Sequence, residues 1–138
     1  MMIFSDLLGP VLGGDMLPVY LFKQGAKLGT LKLENLYYQK SQMLVDDWIG
    51  DEYVVDLRAT HYEKFYKLLR PHTCYKFLKD GKVVSHWAKA YRGKIAREIA
   101  LHQPTTKEEL LSLPIEGLGV EEIICKGEQT LCVMNLLQ

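Results

Sequence analysis

Two stretches of the chain carry apolar residues at helical spacing and predict two long helices. The first runs from Glu34 to Ile49 and is closed by Gly50. The second runs from Ala88 to His102, and Pro104 helps to stop it. One side of the second helix is an apolar stripe at i, i+3, i+7 and i+11, formed by Ala88, Tyr91, Ile95 and Ile99. The stripe indicates that this helix packs one side against a core.

Runs of β-branched and apolar residues around turn sequences predict two β-hairpins. In the first, Thr73–Phe77 and Val83–Trp87 flank Asp80-Gly81, a pair that favours tight turns. The second is centred on Lys126-Gly127-Glu128, and its two predicted strands are Val120–Cys125 and Leu131–Leu136.

The first half of the chain predicts shorter elements. Residues 1–29 are loop-like because Gly and Pro recur every few residues, although a short helix at about residues 2–8 fits the pattern. Tyr53–Leu57 is rich in β-branched and apolar residues and predicts a buried strand. Thr60 is placed to cap a short helix that runs through Tyr66.

The last predicted helix begins after a pair of threonines. Thr105 or Thr106 can cap it, Glu109 stands at capping-box spacing from Thr106, and the helix runs to about Leu113. Helices and strands are mixed along the chain without regular βαβ alternation. We therefore expect an α+β fold, with a mixed or antiparallel sheet and hairpins packed against a few helices, in a single domain over residues 1–138.

The composition is that of a soluble globular protein. The 138 residues are 48% hydrophobic and 25% charged, and no apolar run approaches the roughly 18–20 residues that span a bilayer. Three cysteines, an odd number without a C-x-x-C pair, favour a reducing compartment. Met1–Pro10 is too short and too weakly basic for a secretory signal. We expect a cytoplasmic protein with no membrane partner.

Basic residues are concentrated in the central third of the chain. Overall, 17 Lys+Arg balance 17 Asp+Glu, yet residues 64–97 hold ten of the bases and one acid, Asp80. Such a block can make a positive surface on a neutral protein and attract polyanions at low salt. The alternative is a solvated face whose charges pair with the acidic flanks. We expect the ten bases to form one outward-facing ridge centred on the helix that begins at Ala88.

The predicted helix over residues 88–102 supplies the core of this ridge. The bases that point away from its apolar stripe, or lie at the edge of it, are Lys89, Arg92, Lys94 and Arg97. Gly93 falls among them, although a mid-helix glycine costs about 1 kcal/mol relative to alanine. One explanation is close approach of a phosphate backbone. The other is that a strand or helix packs over Gly93.

Three blocks of the chain resemble the YaaA family of bacterial peroxide-stress proteins. Residues 85–99 are similar to its S-x-aromatic-A-K-x-x-R-G-x-x-A/S-R-x-I stretch and depart from the family pattern at Ala90, Tyr91 and Glu98. Residues 55–64 are similar to its I-N-L-A-S-x-E-Y-x-K stretch; they keep Leu57, Tyr62 and Lys64 and depart at Asp56, Arg58 and His61. Residues 18–25 look like its P-Y-R-x-E-M loop. The order and spacing of the blocks agree with the family.

The resemblance covers only the C-terminal portion of the family, whose members are nearly twice as long and begin with an S-P-A-K-T-type segment. We therefore expect the family's N-terminal part to be absent here. A surface that this part would cover is then open, so self-association through it is expected.

The resemblance implies a cytoplasmic, non-enzymatic protein that binds double-stranded DNA without strong sequence preference and protects against hydrogen peroxide. It implies no cofactor and no bound metal. The expected nucleic-acid-binding residues are those of the helix, Lys89, Arg92, Gly93, Lys94 and Arg97, assisted by the hairpin lysines Lys76, Lys79 and Lys82. Two alternatives stay open. In one, an uncharacterised enzyme or anion-binding protein uses the Lys/Arg motif in a pocket. In the other, Lys89 and Arg92 are structural and pair with acids such as Asp56.

Two further patterns carry weaker hypotheses. Residues 107–119 resemble a helix-hairpin-helix with a Gly117-Leu118-Gly119 turn, although a loop leading into a strand fits the same residues. His72-x-Cys74 places two potential metal ligands on one side of a strand, and two ligands do not complete a site. Cys74 stands near Lys76 and is either a peroxide-sensitive thiol or an inert core residue.

Overall fold

A computed structural model describes residues 1–137 and has an α+β fold, as predicted. Its helices are α1 (Leu33–Ile49), a 3₁₀ helix (Thr60–Lys64), α2 (Ala88–His102) and α3 (Lys107–Leu111). Its strands are β1 (Met2–Ser5), β2 (Gly9–Leu12), β3 (Lys27–Leu28), β4 (Leu31–Lys32), β5 (Val54–Asp56), β6 (His72–Lys79), β7 (Lys82–Val83), β8 (Leu118–Lys126) and β9 (Gln129–Leu136).

The described chain groups into two compact units. The first comprises Met1–Glu52 and Arg58–Leu69, and the second comprises Tyr53–Leu57 and the chain from Arg70 onward. The expectation of a single domain over residues 1–138 stays a prediction.

In the first unit, residues 2–12 form a β-hairpin, so the helix predicted at about residues 2–8 is wrong. β1 and β2 pair antiparallel from Met2–Leu12 to Ser5–Gly9. Gly9 has a φ of 70° and allows a close approach, since a Cβ there would lie 2.4 Å from Cδ1 of Tyr37. A two-stranded hairpin also tolerates Pro10, because its strands have free edges that need no N–H donor.

The long helix of the first unit is confirmed. α1 buries Leu33, Ser41, Val45 and Ile49 along one side. It ends at Gly50, which has a φ of 58° and donates its N–H to the carbonyl of Asp46 at 3.0 Å. The helix predicted after Ala59 is a single 3₁₀ segment that begins at Thr60, without a side-chain cap.

A five-stranded mixed sheet forms the second unit. Its order is β5-β6-β9-β8, with β7 paired to β6. β6 is parallel to β5 and β9, while β8–β9 and β6–β7 are antiparallel hairpins. The second predicted hairpin is confirmed. The first also turns at Asp80-Gly81, where both residues have positive φ, but its second strand ends at Val83 rather than Trp87.

α2 packs its apolar stripe against one face of this sheet. Ile95 is fully buried, Ala88 is 4% exposed, and the ring of Tyr91 stacks on Phe77 with centroids 5.8 Å apart. The core that this packing closes is formed by Phe77, Ala88, Ile95, Ile115, Leu118, Cys132, Met134 and Leu136. The predicted bounds of the helix and its buried stripe are confirmed.

α3 begins with the predicted threonine cap. Thr106 Oγ1 accepts the N–H of Glu109 at 3.1 Å. The carboxylate of Glu109 accepts the N–H of Thr105 at 2.7 Å rather than that of Thr106, so the reciprocal bond of the capping box is displaced by one residue. No helix within residues 1–137 is both long and apolar enough to cross a bilayer.

Candidate nucleic-acid interface

α2 presents a basic side away from the sheet. Because Ala88 and Ile95 are buried, residues half a turn away face solvent. Lys89 and Arg97 are exposed, and Arg92 is half-buried at the border of the packed side. Gly93 lies between Lys89 and Arg97 on the exposed side. We call the surface formed by these four residues the basic helix face.

The space above Gly93 is open. A Cβ placed on Gly93 would meet no atom within 4 Å. Within residues 1–137, therefore, no strand or helix packs over this glycine. The glycine leaves the helix backbone accessible between two exposed bases.

The three bases of the basic helix face have no polar partner in the described chain. Within residues 1–137, neither a hydrogen bond nor an ion pair involves the side chain of Lys89, Arg92 or Arg97. The alternative in which Lys89 and Arg92 pair with acids such as Asp56 therefore has no support here. The one ion pair on α2 joins His102 to Glu98 at 3.2 Å.

Lys94 differs from the other bases of α2. Its Nζ donates to the carbonyl oxygen of Glu116 at 3.3 Å and lies 5.5 Å from the centre of the Tyr91 ring. Glu116 belongs to the loop that leads into β8. Lys94 therefore connects α2 to this loop and does not extend freely from the helix.

The hairpin lysines lie on both faces of the sheet. Phe77 faces α2, and side chains alternate along a strand, so Lys79 points to that same face and Lys76 to the opposite one. Lys79 is the register partner of Lys82 in β7, and both are exposed. Like charges directly opposite each other destabilise a strand pair, and a bound anion would relieve this repulsion.

The ten central bases do not form the single ridge that the charge pattern predicts. Lys64 and Lys67 belong to the first unit, whereas the other eight belong to the second. Lys76 and the basic helix face are on opposite sides of the sheet. A count along the sequence cannot separate these groups, because strand alternation sends neighbouring bases to different faces.

The weaker hypotheses have simple outcomes. α3 is followed by a loop and then by β8, which begins at Leu118, so residues 107–119 are a loop leading into a strand and not a helix-hairpin-helix. Within residues 1–137, no three His, Cys, Asp or Glu residues are grouped to hold a metal ion. Cys74 accepts a hydrogen bond from Nε2 of Gln129 at 2.8 Å, and its proposed sensitivity to peroxide stays a prediction.

A polar cluster in the first unit escaped the sequence analysis. The carboxylate of Asp6 lies 2.8 Å from Nε2 of His61 and accepts the hydroxyl of Tyr62 at 2.9 Å and the N–H of Gly25 at 3.3 Å. Asp6 and Tyr62 line a cavity of about 310 Å³, together with Phe4, Ser5 and Tyr20. None of the eight predicted site residues lines this cavity.

Burial and hydrogen bonding shift the acidity of this cluster. Burial alone would raise the pKa of Asp6, but the hydrogen bonds from His61, Gly25 and Tyr62 outweigh it and hold that pKa below its usual range. Burial, reinforced by the negative charge of Asp6, raises the pKa of Tyr62 to about 12. At neutral pH, Asp6 is therefore an anion and Tyr62 is a neutral donor to it. Only the retention of Tyr62 in the family-like stretch at residues 55–64 could have pointed to this cluster.

Comparison with known proteins assigns the family. The family described as "Peroxide stress protein YaaA" matches residues 1–123. This chain belongs to the YaaA family. The match covers the stretches at residues 18–25, 55–64 and 85–99 that carried the resemblance.

Relatives of this YaaA family member come from several bacteria. It is 41% identical over 136 residues to an uncharacterized protein of Campylobacter jejuni, Cj0984, a match that covers 99% of this chain and 55% of the relative. It is 27% identical to a UPF0246 protein of Colwellia psychrerythraea, with 90% and 53% covered. It is 33% identical to a UPF0246 protein of Corynebacterium glutamicum, with 86% and 52% covered. The chain thus spans about half the length of these curated relatives.

Proposed function

We propose that this chain is a cytoplasmic, non-enzymatic module of the peroxide-stress response that binds double-stranded DNA without strong sequence preference. The family supports the link to peroxide stress by its name. The observation that carries the DNA contact is the basic helix face, where Lys89, Arg92 and Arg97 surround an open glycine and have no partner within residues 1–137. Unpaired, solvent-exposed cations attract phosphates and release counterions when they bind them.

The spacing of the basic helix face suits a nucleic-acid backbone. Lys89 and Arg97 are two turns apart, which is about 12 Å along the helix axis. This distance spans about three base-pair steps of a duplex. Gly93 lies midway and presents no side chain, so a strand can approach the helix backbone closely. Contacts of this kind go to phosphates and carry little sequence information.

The Lys79–Lys82 pair is a second source of positive charge. The two lysines oppose each other in register across the hairpin and are exposed. Phosphate oxygens placed between them would offset their repulsion. We therefore include Lys79 and Lys82 in the proposed interface, whereas Lys76 and Lys94 contribute less, since one lies on the opposite sheet face and the other is held by Glu116.

The alternative of a pocket for a small anion has less support. The cavity in the first unit is lined by Asp6 and Asp15 and by no lysine or arginine. Carboxylates repel an anionic substrate in an enclosed space. The basic helix face is exposed rather than enclosed, and this favours a large polyanion over a small one.

A binding assay with matched charge removal tests the proposal. Fluorescence anisotropy with two unrelated labelled duplexes compares the wild type with Arg92→Ala/Arg97→Ala and with Lys64→Ala/Lys67→Ala. Both variants lose two positive charges. We expect the first to weaken binding to both duplexes by about tenfold and the second to leave it nearly unchanged. Equal losses in the two variants, or a wild type that binds neither duplex, would count against the site.

A further inference from the structure

β8 forms an unusually exposed edge of the sheet. It pairs with β9 on one side, and no other strand of residues 1–137 pairs with its second side. Every residue from 120 to 126 is exposed, including Val120, Ile123 and Ile124 at 46%, 44% and 39%. A long edge strand with exposed apolar side chains is a ready template for another strand.

The turn that joins β8 to β9 determines which backbone groups of β8 face outward. Lys126 and Gln129 are partners on either side of the two-residue turn Gly127-Glu128. The residues that flank such a turn form a hydrogen-bonded pair, and bonded pairs alternate along the strands. Lys126, Ile124 and Glu122 therefore direct their backbone groups to β9. Ile123 and Cys125 direct theirs to the unpaired edge.

We propose that a second copy of this chain pairs antiparallel with β8 about a two-fold axis at Ile124. In this register, Glu122 of each copy lies opposite Lys126 of the other, and the two Ile124 side chains meet between these ion pairs. The outward backbone groups of Ile123 then face those of Cys125 in the other copy, so hydrogen bonds form where free groups exist.

Charge complementarity selects this register over its neighbours. Two-fold antiparallel pairing places residues of the same sheet face opposite each other. An axis at Ile123 would place Glu122 opposite Ile124, and an axis at Cys125 would place Glu122 opposite Glu128. Only the axis at Ile124 places Glu122 opposite a cation. Opposite charges across a strand pair stabilise it, and like charges destabilise it.

This pairing has a consequence for the rest of the second unit. A two-fold axis perpendicular to the sheet leaves the same face of both copies on the same side. α2 covers one face of the sheet in each copy, through contacts such as that of Tyr91 with Phe77. The two α2 helices of the dimer therefore lie on one side of a continuous sheet.

Charge reversal at the two positions gives a sharp test of the dimer. Sedimentation velocity over a range of concentrations should show a dimer for the wild type. Glu122→Lys and Lys126→Glu should each weaken the dimer by about tenfold, because each places like charges opposite each other twice. An equimolar mixture of the two single variants should form a heterodimer, since all the opposed charges are then complementary.

Two controls make the outcome decisive. Glu121→Lys makes the same charge change at the bulge between Val120 and Glu122, outside the register, and should leave the dimer intact. Ile124→Cys on a Cys125→Ser background should oxidise to a disulfide-linked dimer, because directly opposed, non-hydrogen-bonded residues have Cα atoms about 4.5 Å apart. Ile123→Cys on the same background should cross-link far less. A chain that stays monomeric, a dimer indifferent to both reversals, or a mixture that forms no heterodimer would overturn the proposal.

Discussion

Lys94 donates from Nζ to the carbonyl oxygen of Glu116 at 3.3 Å. This bond connects the middle of α2 to the loop before β8. Lys89, on the same helix, has no polar partner within residues 1–137. The bases of α2 thus divide into one that stabilises the fold and three that remain available to a ligand.

Substitution of the two lysines should separate these roles. Lys94→Ala loses an exposed hydrogen bond and a cation–π contact, so it should lower the free energy of unfolding by about 0.5–1 kcal/mol and change DNA affinity little. Lys89→Ala should leave stability nearly unchanged and weaken DNA binding. Urea unfolding and anisotropy, measured on both variants, check the prediction. A reversed pattern would show that Lys94 and not Lys89 contacts the ligand.

Gly93→Ala should stabilise the protein. Gly93 is inside α2, and the added methyl would enter open space. Alanine lowers the conformational entropy of the unfolded chain, so the free energy of unfolding should rise by about 0.5–1 kcal/mol. Urea unfolding measures it. Gly9→Ala is the matched control and should destabilise strongly, because Gly9 has a φ of 70° and lies against the Tyr37 ring. Destabilisation by Gly93→Ala would show that another part of the molecule covers the helix.

Asp6 should make stability depend on acid pH. Its hydrogen bonds, above all the one with His61, outweigh burial and keep the folded-state pKa below the ordinary value of 3.8. The folded state therefore binds fewer protons than the unfolded state near that pH. The stabilisation is fully present above about pH 4 and is lost as the pH falls through the lowered folded-state pKa.

Asp6→Asn tests this assignment. Asparagine cannot accept from His61, Gly25 and Tyr62 in the same way, so the variant should be less stable by about 1–3 kcal/mol at neutral pH. Its stability should also fall less than that of the wild type as the pH drops below about 4. Urea unfolding of both proteins across this range gives the comparison. Parallel stability curves would mean that Asp6 does not carry the pH dependence.

The three cysteines should differ in reactivity. Burial, with a smaller effect from Cys74, raises the pKa of Cys132 to about 11, and its side chain is fully buried. Cys125 is exposed. Because the thiolate is the reactive form, iodoacetamide should modify Cys125 in the folded protein and Cys132 only after urea unfolding. Mass spectrometry of the peptides measures both rates. Rapid native modification of Cys132 would contradict its burial.

Local patterns were sufficient for the elements whose partners are near in sequence. α2 begins at Ala88 and ends at His102 as the apolar stripe predicts, and the hairpin around Gly127 follows from its turn. The run Met2–Phe4 was ambiguous, because a few apolar residues fit a helix or a strand. Its pairing with residues 10–12 decided for a strand.

The candidate site was predictable to the same extent. The basic side of α2 follows from helix geometry, so Lys89, Arg92 and Arg97 could be placed together. The bond that holds Lys94 could not be foreseen, because Glu116 is 22 residues away in a loop. The cluster of Asp6 with His61 joins residues 55 apart, and no spacing in the sequence connects them.

The salt dependence of DNA binding tests the central claim most directly. Each phosphate contact adds about 0.9 to the slope of log binding constant against log salt concentration. We predict a steep slope for the wild type, a slope lower by about 1.8 for Arg92→Ala/Arg97→Ala, and an unchanged slope for Lys64→Ala/Lys67→Ala. A wild type whose binding is independent of salt, or a double variant of α2 that keeps the full slope, would contradict the claim that the basic helix face holds the phosphates.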